Sequence, residues 1–144
     1  MDAAFTFAYS LECAVTREFA WRYWTNVHNW AFDADIESVE LHGPFLAGSR
    51  GATTSRNSGR IEWQLSSVEV GESAVVEISL PDAVARFCWA FDDLGTTTRI
   101  TQRVSIEGER ARLYGPVLEQ GIPAGMRKLA ENMAKAEAEG RSQG

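Results

Sequence analysis

Leu118, Ile122, Met126, Leu129 and Met133 recur at spacings of three and four residues near the end of the chain. That period lines one face of an α-helix with apolar side chains. The pattern runs from Pro116 to Glu139 and is the only long amphipathic helix in the sequence; about nine short β-rich or loop segments precede it. A helix with a broad apolar face that follows a run of strands needs a sheet to lie on. One helix laid on one sheet tends to leave a cavity between the two layers, so the order of elements points to a small-molecule pocket. Pro123 falls inside the stripe, where its ring clashes with the carbonyl of Glu119. Either the regular helix starts near Pro123, or it bends there with Gly121 and Gly125 easing the bend.

The strands are legible from a period of two. Phe5, Phe7, Tyr9, Leu11, Cys13 and Val15 alternate with smaller or polar residues, giving one apolar face. Thr16 then offers a hydroxyl N-cap, and Glu18 sits where the helix dipole favours a carboxylate. Phe19, Ala20, Tyr23, Trp24 and Val27 continue as a helical stripe, with Trp21 off it in an expected edge position. His28 to Asp35 reads as a second short helical turn or irregular segment around Trp30 and Phe32. Strands are then expected over 36–41, 50–56, 60–70, 74–80, 85–91 and 98–106. They are separated by turn chemistry at Gly43-Pro44, Asn57-Ser58-Gly59, Gly71-Glu72, Pro81-Asp82 and Asp92-Asp93-Leu94-Gly95. Polar residues on the opposite faces, such as Glu62, Gln64, Glu77, Arg99 and Arg103, predict an antiparallel sheet solvated on one side. Residues 141–144 are expected to form a frayed tail, leaving a single domain over 1–140.

A chain of 144 residues can bury a core without disulfides or a structural metal. Its net charge of −6 and its scattered arginines argue against nucleic acid or an anionic membrane as partner. No apolar run approaches the length of a membrane span, and the first residues have no basic, then apolar, leader pattern. Cys13 and Cys88 stand in no metal-like or redox-like spacing and read as two buried thiols in a reducing compartment. The expectation is a cytoplasmic soluble protein with no cofactor and no metal site.

The order of strand, two short helices, six strands and long C-terminal helix resembles the START-like (SRPBCC) superfamily. The local cues are the Trp24-to-Trp30 segment, the Gly43-Pro44-Phe45-Leu46-Ala47-Gly48-Ser49-Arg50-Gly51 stretch and the strand entry Gly95-Thr96-Thr97-Thr98-Arg99-Ile100-Thr101. These are similar to the bacterial polyketide cyclase/dehydrase-like branch. The resemblance implies an α+β helix-grip fold, in which a curved seven-stranded antiparallel sheet wraps a long C-terminal helix with a cavity between. It carries no universal catalytic residues.

Five tryptophans are the most unusual feature of the composition. Trp63 and Trp89 fall on the apolar sides of their strands, where they either fill the core or hold a flat ligand by stacking and edge contacts. With Trp30, Ile78 and Phe87, and with Met126 and Met133 on the helix face, they form the expected ligand-binding set. Gln102 lies between Ile100 and Val104 on an inward face, where a buried amide needs partners from water, backbone or ligand. Tyr114, placed just before the helix, could bring a hydroxyl to the pocket mouth or serve as a packing residue. His28 could act as a base near an entrance, although a solvated loop histidine is the plainer reading, and His42 stands apart from it. Asp33 and Asp35 form an acidic pair better suited to a turn than to a cation. No residue pair is forced together as acid and base, so the catalytic residues stay unassigned.

Three functions follow in order. The first is binding of a small hydrophobic or aromatic molecule between the sheet and the C-terminal helix. The second is a cyclase/dehydrase-like enzyme using Gln102, Tyr114 and His28 in the same cavity. The third is a protein-interaction module with a filled core.

Overall fold

Alternating side chains build seven strands: β1 (Ala4–Cys13), β2 (Ile36–His42), β3 (Arg50–Ser55), β4 (Gly59–Glu69), β5 (Ser73–Leu80), β6 (Ala83–Asp93) and β7 (Thr98–Glu107). Two α-helices, α1 (Arg17–Thr25) and α2 (Ala111–Gln143), and a 3-10 turn (Val27–Trp30) complete the elements of the described residues. The structure is a computed structural model that describes residues 4–31, 35–57 and 59–143, with side chains to residue 140. Phe32, Asp33 and Ser58, which figure in the sequence expectations, lie outside the described residues, as does Gly144.

The strands form one antiparallel sheet in the order β1-β7-β6-β5-β4-β3-β2. Its strand bounds fall within two residues of those read from the alternation, because pleat parity is a local property. Register shifts at Ile36/Ser38 and Leu65/Ser67 mark irregularities in β2 and β4 that locally increase twist. Consecutive strands β1 and β2 lie at opposite edges, so the segment joining them must cross the sheet. That segment is α1 with the 3-10 turn. It carries Trp24 and Trp30 onto the inner face, against Trp89 and Phe91 of β6 and Trp63 of β4.

Helix α2 starts five residues before Pro116 and runs through both Pro116 and Pro123, so a regular helix starting near Pro123 is not observed. Its beginning was hidden because the first turns present Leu113 and Val117 to solvent, 63% and 70% exposed, so no apolar stripe marks them. Long-range contacts set the start instead: the Arg110 N–H donates to the Asp82 carbonyl, and Ala111 is buried. No helix among the described residues is long and apolar enough to cross a membrane.

Gly115, expected in the lead-in to the helix, sits inside it because the Phe5 ring of β1 packs directly on its backbone. A Cβ there would overlap that ring. Gly→Ala normally stabilises a helix interior by ~1 kcal/mol. For Gly115→Ala we expect the opposite sign, a loss of about 1–3 kcal/mol from overpacking. Gly121→Ala, with open space around it, should show the ordinary gain. Urea unfolding midpoints of the two variants check this; a stabilised Gly115→Ala would show that Phe5 yields freely.

Candidate functional site

The walls of the site are set first by how α1 ends. Thr16 Oγ1 caps its start by accepting from the Phe19 N–H at 3.3 Å. At its other end the last carbonyls lack intrahelical donors. Asn29 Nδ2 donates to the Tyr23 carbonyl at 2.8 Å, and Trp30 Nε1 donates to the Trp24 carbonyl at 2.6 Å. Asn26 Oδ1 accepts from the His28 N–H, tightening the turn between them. These bonds fix the Trp30 indole, which stacks on Trp24 at 5.4 Å between centroids and leans on Trp63 at 5.0 Å. Trp63 is held from the sheet side. Its ring lies over Gly51 of β3, where any Cβ would collide with it, and its Nε1 donates to Thr53 Oγ1 at 3.1 Å.

Between this aromatic wall and the sheet is a hollow of about 200 Å³. It brings together six of the residues singled out in the sequence: Trp30, Trp63, Ile78, Phe87, Trp89 and Gln102. Sequence reasoning did not place Trp24, Ile36, Val39, Thr53 and Val76 there, although all five line it. Trp24 had a signal, since it lies on the α1 stripe and is 1% exposed. Thr53 had none, because it sits in a polar strand.

Three expected residues lie elsewhere. Met126 and Met133 are sealed in the core with Cys13, Val15 and Trp24, and Met133 Sδ is 3.8 Å from the Cys13 sulfur. Facing inward on α2 put them under α1 and β1 rather than at the hollow. Tyr114 lies in the first turn of α2, and its hydroxyl donates to the Pro81 carbonyl at 3.1 Å. No described lining residue comes from α2. The cavity expected between the sheet and the C-terminal helix is therefore roofed by α1 and the 3-10 turn, because large α2 side chains fill the space below that helix. His28 is exposed on the 3-10 turn and His42 stands near Glu40 on β2; neither lines the hollow. Trp21 is not a free edge residue: it packs edge-on against Phe91 at 5.5 Å and Phe45 at 6.0 Å. Asp93 Oδ1 accepts from the Gly95 N–H, so its carboxylate does turn chemistry.

None of the described lining residues titrates in the physiological range. Cys13, in the neighbouring core, has its thiol pushed up from 9.0 to about 11 by burial, so it stays protonated and inert. Cys88, expected to be buried, is only half-buried; both thiols are unpaired. Among the described residues no cluster of His, Cys, Asp and Glu could hold a metal ion. A larger groove of about 700 Å³ opens over β3, β4 and β5, lined by charged groups such as Arg50, Arg60, Glu62 and Glu77. Its charges are largely cross-paired: Arg60 bonds Glu40, holding that carboxyl below its usual range, and Glu77 pairs with Arg86. It is a solvated outer surface, whereas the smaller hollow is apolar and aromatic.

No family model matches the sequence, and no curated protein matches it. Solved structures match the fold. Norcoclaurine synthase from Thalictrum flavum superposes with a TM-score of 0.76 at 12% identity, covering 95% of this chain and 98% of that one. Ara h 8.0201 gives 0.76 at 11% identity, covering 92% and 99%. The Zhui aromatase/cyclase from Streptomyces sp. R1128 gives 0.76 at 10% identity, covering 92% and 95%. The chain has the helix-grip fold of these structures. At these identities the likeness extends to the backbone of the helix grip and not to its residues. The contents of the hollow are this chain's own.

Proposed function

We propose that this helix-grip protein binds a small hydrophobic or aromatic molecule in the hollow under α1. The observation that carries the reading is the convergence of Trp24, Trp30, Trp63, Phe87 and Trp89 on one space of about 200 Å³. Ligand sites are typically apolar, with few polar groups, and drug-sized ones run from ~300 Å³ upward. The volume here suits a molecule of one ring. Fold neighbours support the reading by analogy: norcoclaurine synthase was solved with dopamine and hydroxybenzaldehyde.

A cyclase/dehydrase-like activity has less support. Of its three candidate helpers only Gln102 lines the hollow, and an amide is neither a general acid nor a general base. An interaction module with a filled core fits less well with an accessible aromatic space. Two unpaired thiols and an acidic balance fit a cytoplasmic setting.

Native and denaturing mass spectra of freshly purified protein test the binding reading. A small adduct lost on denaturation is the expected result, and its formula distinguishes an aromatic metabolite from a lipid. A clean mass that also takes up no one-ring aromatic at millimolar concentration would reject it.

A further inference from the structure

Gln102 is 6% exposed and sits on the inner face of β7, flanked across the sheet by Tyr9 and Trp89. Its amide can donate twice and accept twice. Among the described residues no group hydrogen-bonds that amide, and yet no side-chain polar atom sealed from solvent lacks a partner. The amide is therefore open to the hollow it lines. Its hydrogen-bond partners must therefore come from whatever enters that apolar space. Of the other lining polar groups, Thr53 and the indoles of Trp30 and Trp63 are engaged by hydrogen bonds, and the indole N–H groups of Trp24 and Trp89 can only donate, whereas the Gln102 amide can also accept. No described lining residue carries a charge to offset one on a ligand.

Resting on the binding reading above, we propose that Gln102 is the specificity-determining polar contact of the site. Its ligand class is an uncharged single-ring aromatic with one hydroxyl or carbonyl group, placed against the amide while the ring lies among Trp30, Trp63 and Trp89. Carboxylates and ammonium ions are excluded because the hollow offers desolvation without compensation.

The test is calorimetric titration of the full chain with 4-ethylphenol, ethylbenzene and 4-ethylbenzoate, repeated on Gln102→Leu. Wild type should bind 4-ethylphenol about tenfold to a hundredfold tighter than ethylbenzene, the span expected for one buried hydrogen bond. It should bind 4-ethylbenzoate weakest of the three. Gln102→Leu should bring the phenol down to the level of ethylbenzene and leave ethylbenzene binding equal or tighter. An unchanged preference for the phenol in the variant overturns the role of Gln102 while leaving the binding reading intact. Preference for the benzoate overturns the ligand class. Failure of wild type to bind either neutral compound overturns this proposal together with the binding reading. Should Gln102→Leu not fold, Gln102→Met carries the same comparison.

Discussion

Trp24→Ala should cost about 3–5 kcal/mol of stability, the range for removing a large aromatic from a core. The residue is 1% exposed, and its ring lies within 5.5 Å of the ring centroids of Trp30, Phe45, Trp89 and Phe91. Those rings come from the 3-10 turn, the β2–β3 loop and β6, so one side chain ties the crossover segment to both the loop and the sheet. Its loss leaves a cavity that the neighbours cannot close without giving up their own edge and stacking geometry. Thermal unfolding followed by circular dichroism should show a midpoint lower by about 10–15 °C for a domain of this size. A shift below about 3 °C would mean that α1 is held by other contacts. Trp21→Ala, removing a half-buried ring of the same cluster, should have a clearly smaller effect.

The second large effect concerns binding. Trp89 is half-buried, touches Trp24 at 5.1 Å and lines the hollow beside Gln102, its cross-strand partner. Trp89→Ala removes a flat contact surface at the centre of the site, a type of truncation that costs ~2–3 kcal/mol in binding. Affinity for 4-ethylphenol should fall about thirtyfold to a hundredfold, while stability should fall by about 1–2 kcal/mol because the ring is only partly buried. Calorimetric titration paired with urea unfolding separates the two quantities. Loss of stability with unchanged affinity would remove Trp89 from the ligand site and return it to the core.

Trp63 shows how far a sequence pattern carries. Alternation along β4 is enough to turn its side chain inward, but its pairing with Ile78 depends on the register shift between Leu65 and Ser67, which no local pattern marks. Where the indole goes next depends on Gly51 and Thr53, which reach it from β3. Phe87, Trp89 and Gln102 repeat the case: their inward faces and their grouping with Trp30 are readable, and the place of Trp24 and Thr53 among them is not.

Met126 and Met133 mark the opposite outcome. A period of three to four residues assigns a face of a helix, but it does not say what that face meets. On α2 the face meets Cys13 and α1, so two residues expected in a pocket became core. Tyr114 moved for a related reason. The helix start rests on the Arg110 N–H and the Asp82 carbonyl, residues far apart in the chain, and no local signal marks such a bond.

From the sequence by itself came the seven strands, the two helices and the inward set of aromatics, because backbone periodicity and turn chemistry act over a few residues. The tertiary structure decided where the hollow lies and what roofs it. The link from β1 to β2 must cross the whole sheet, and that crossing lays Trp24 and Trp30 over β4 and β6. Only long-range packing of this kind decides which inward residues touch one another and which surround a space.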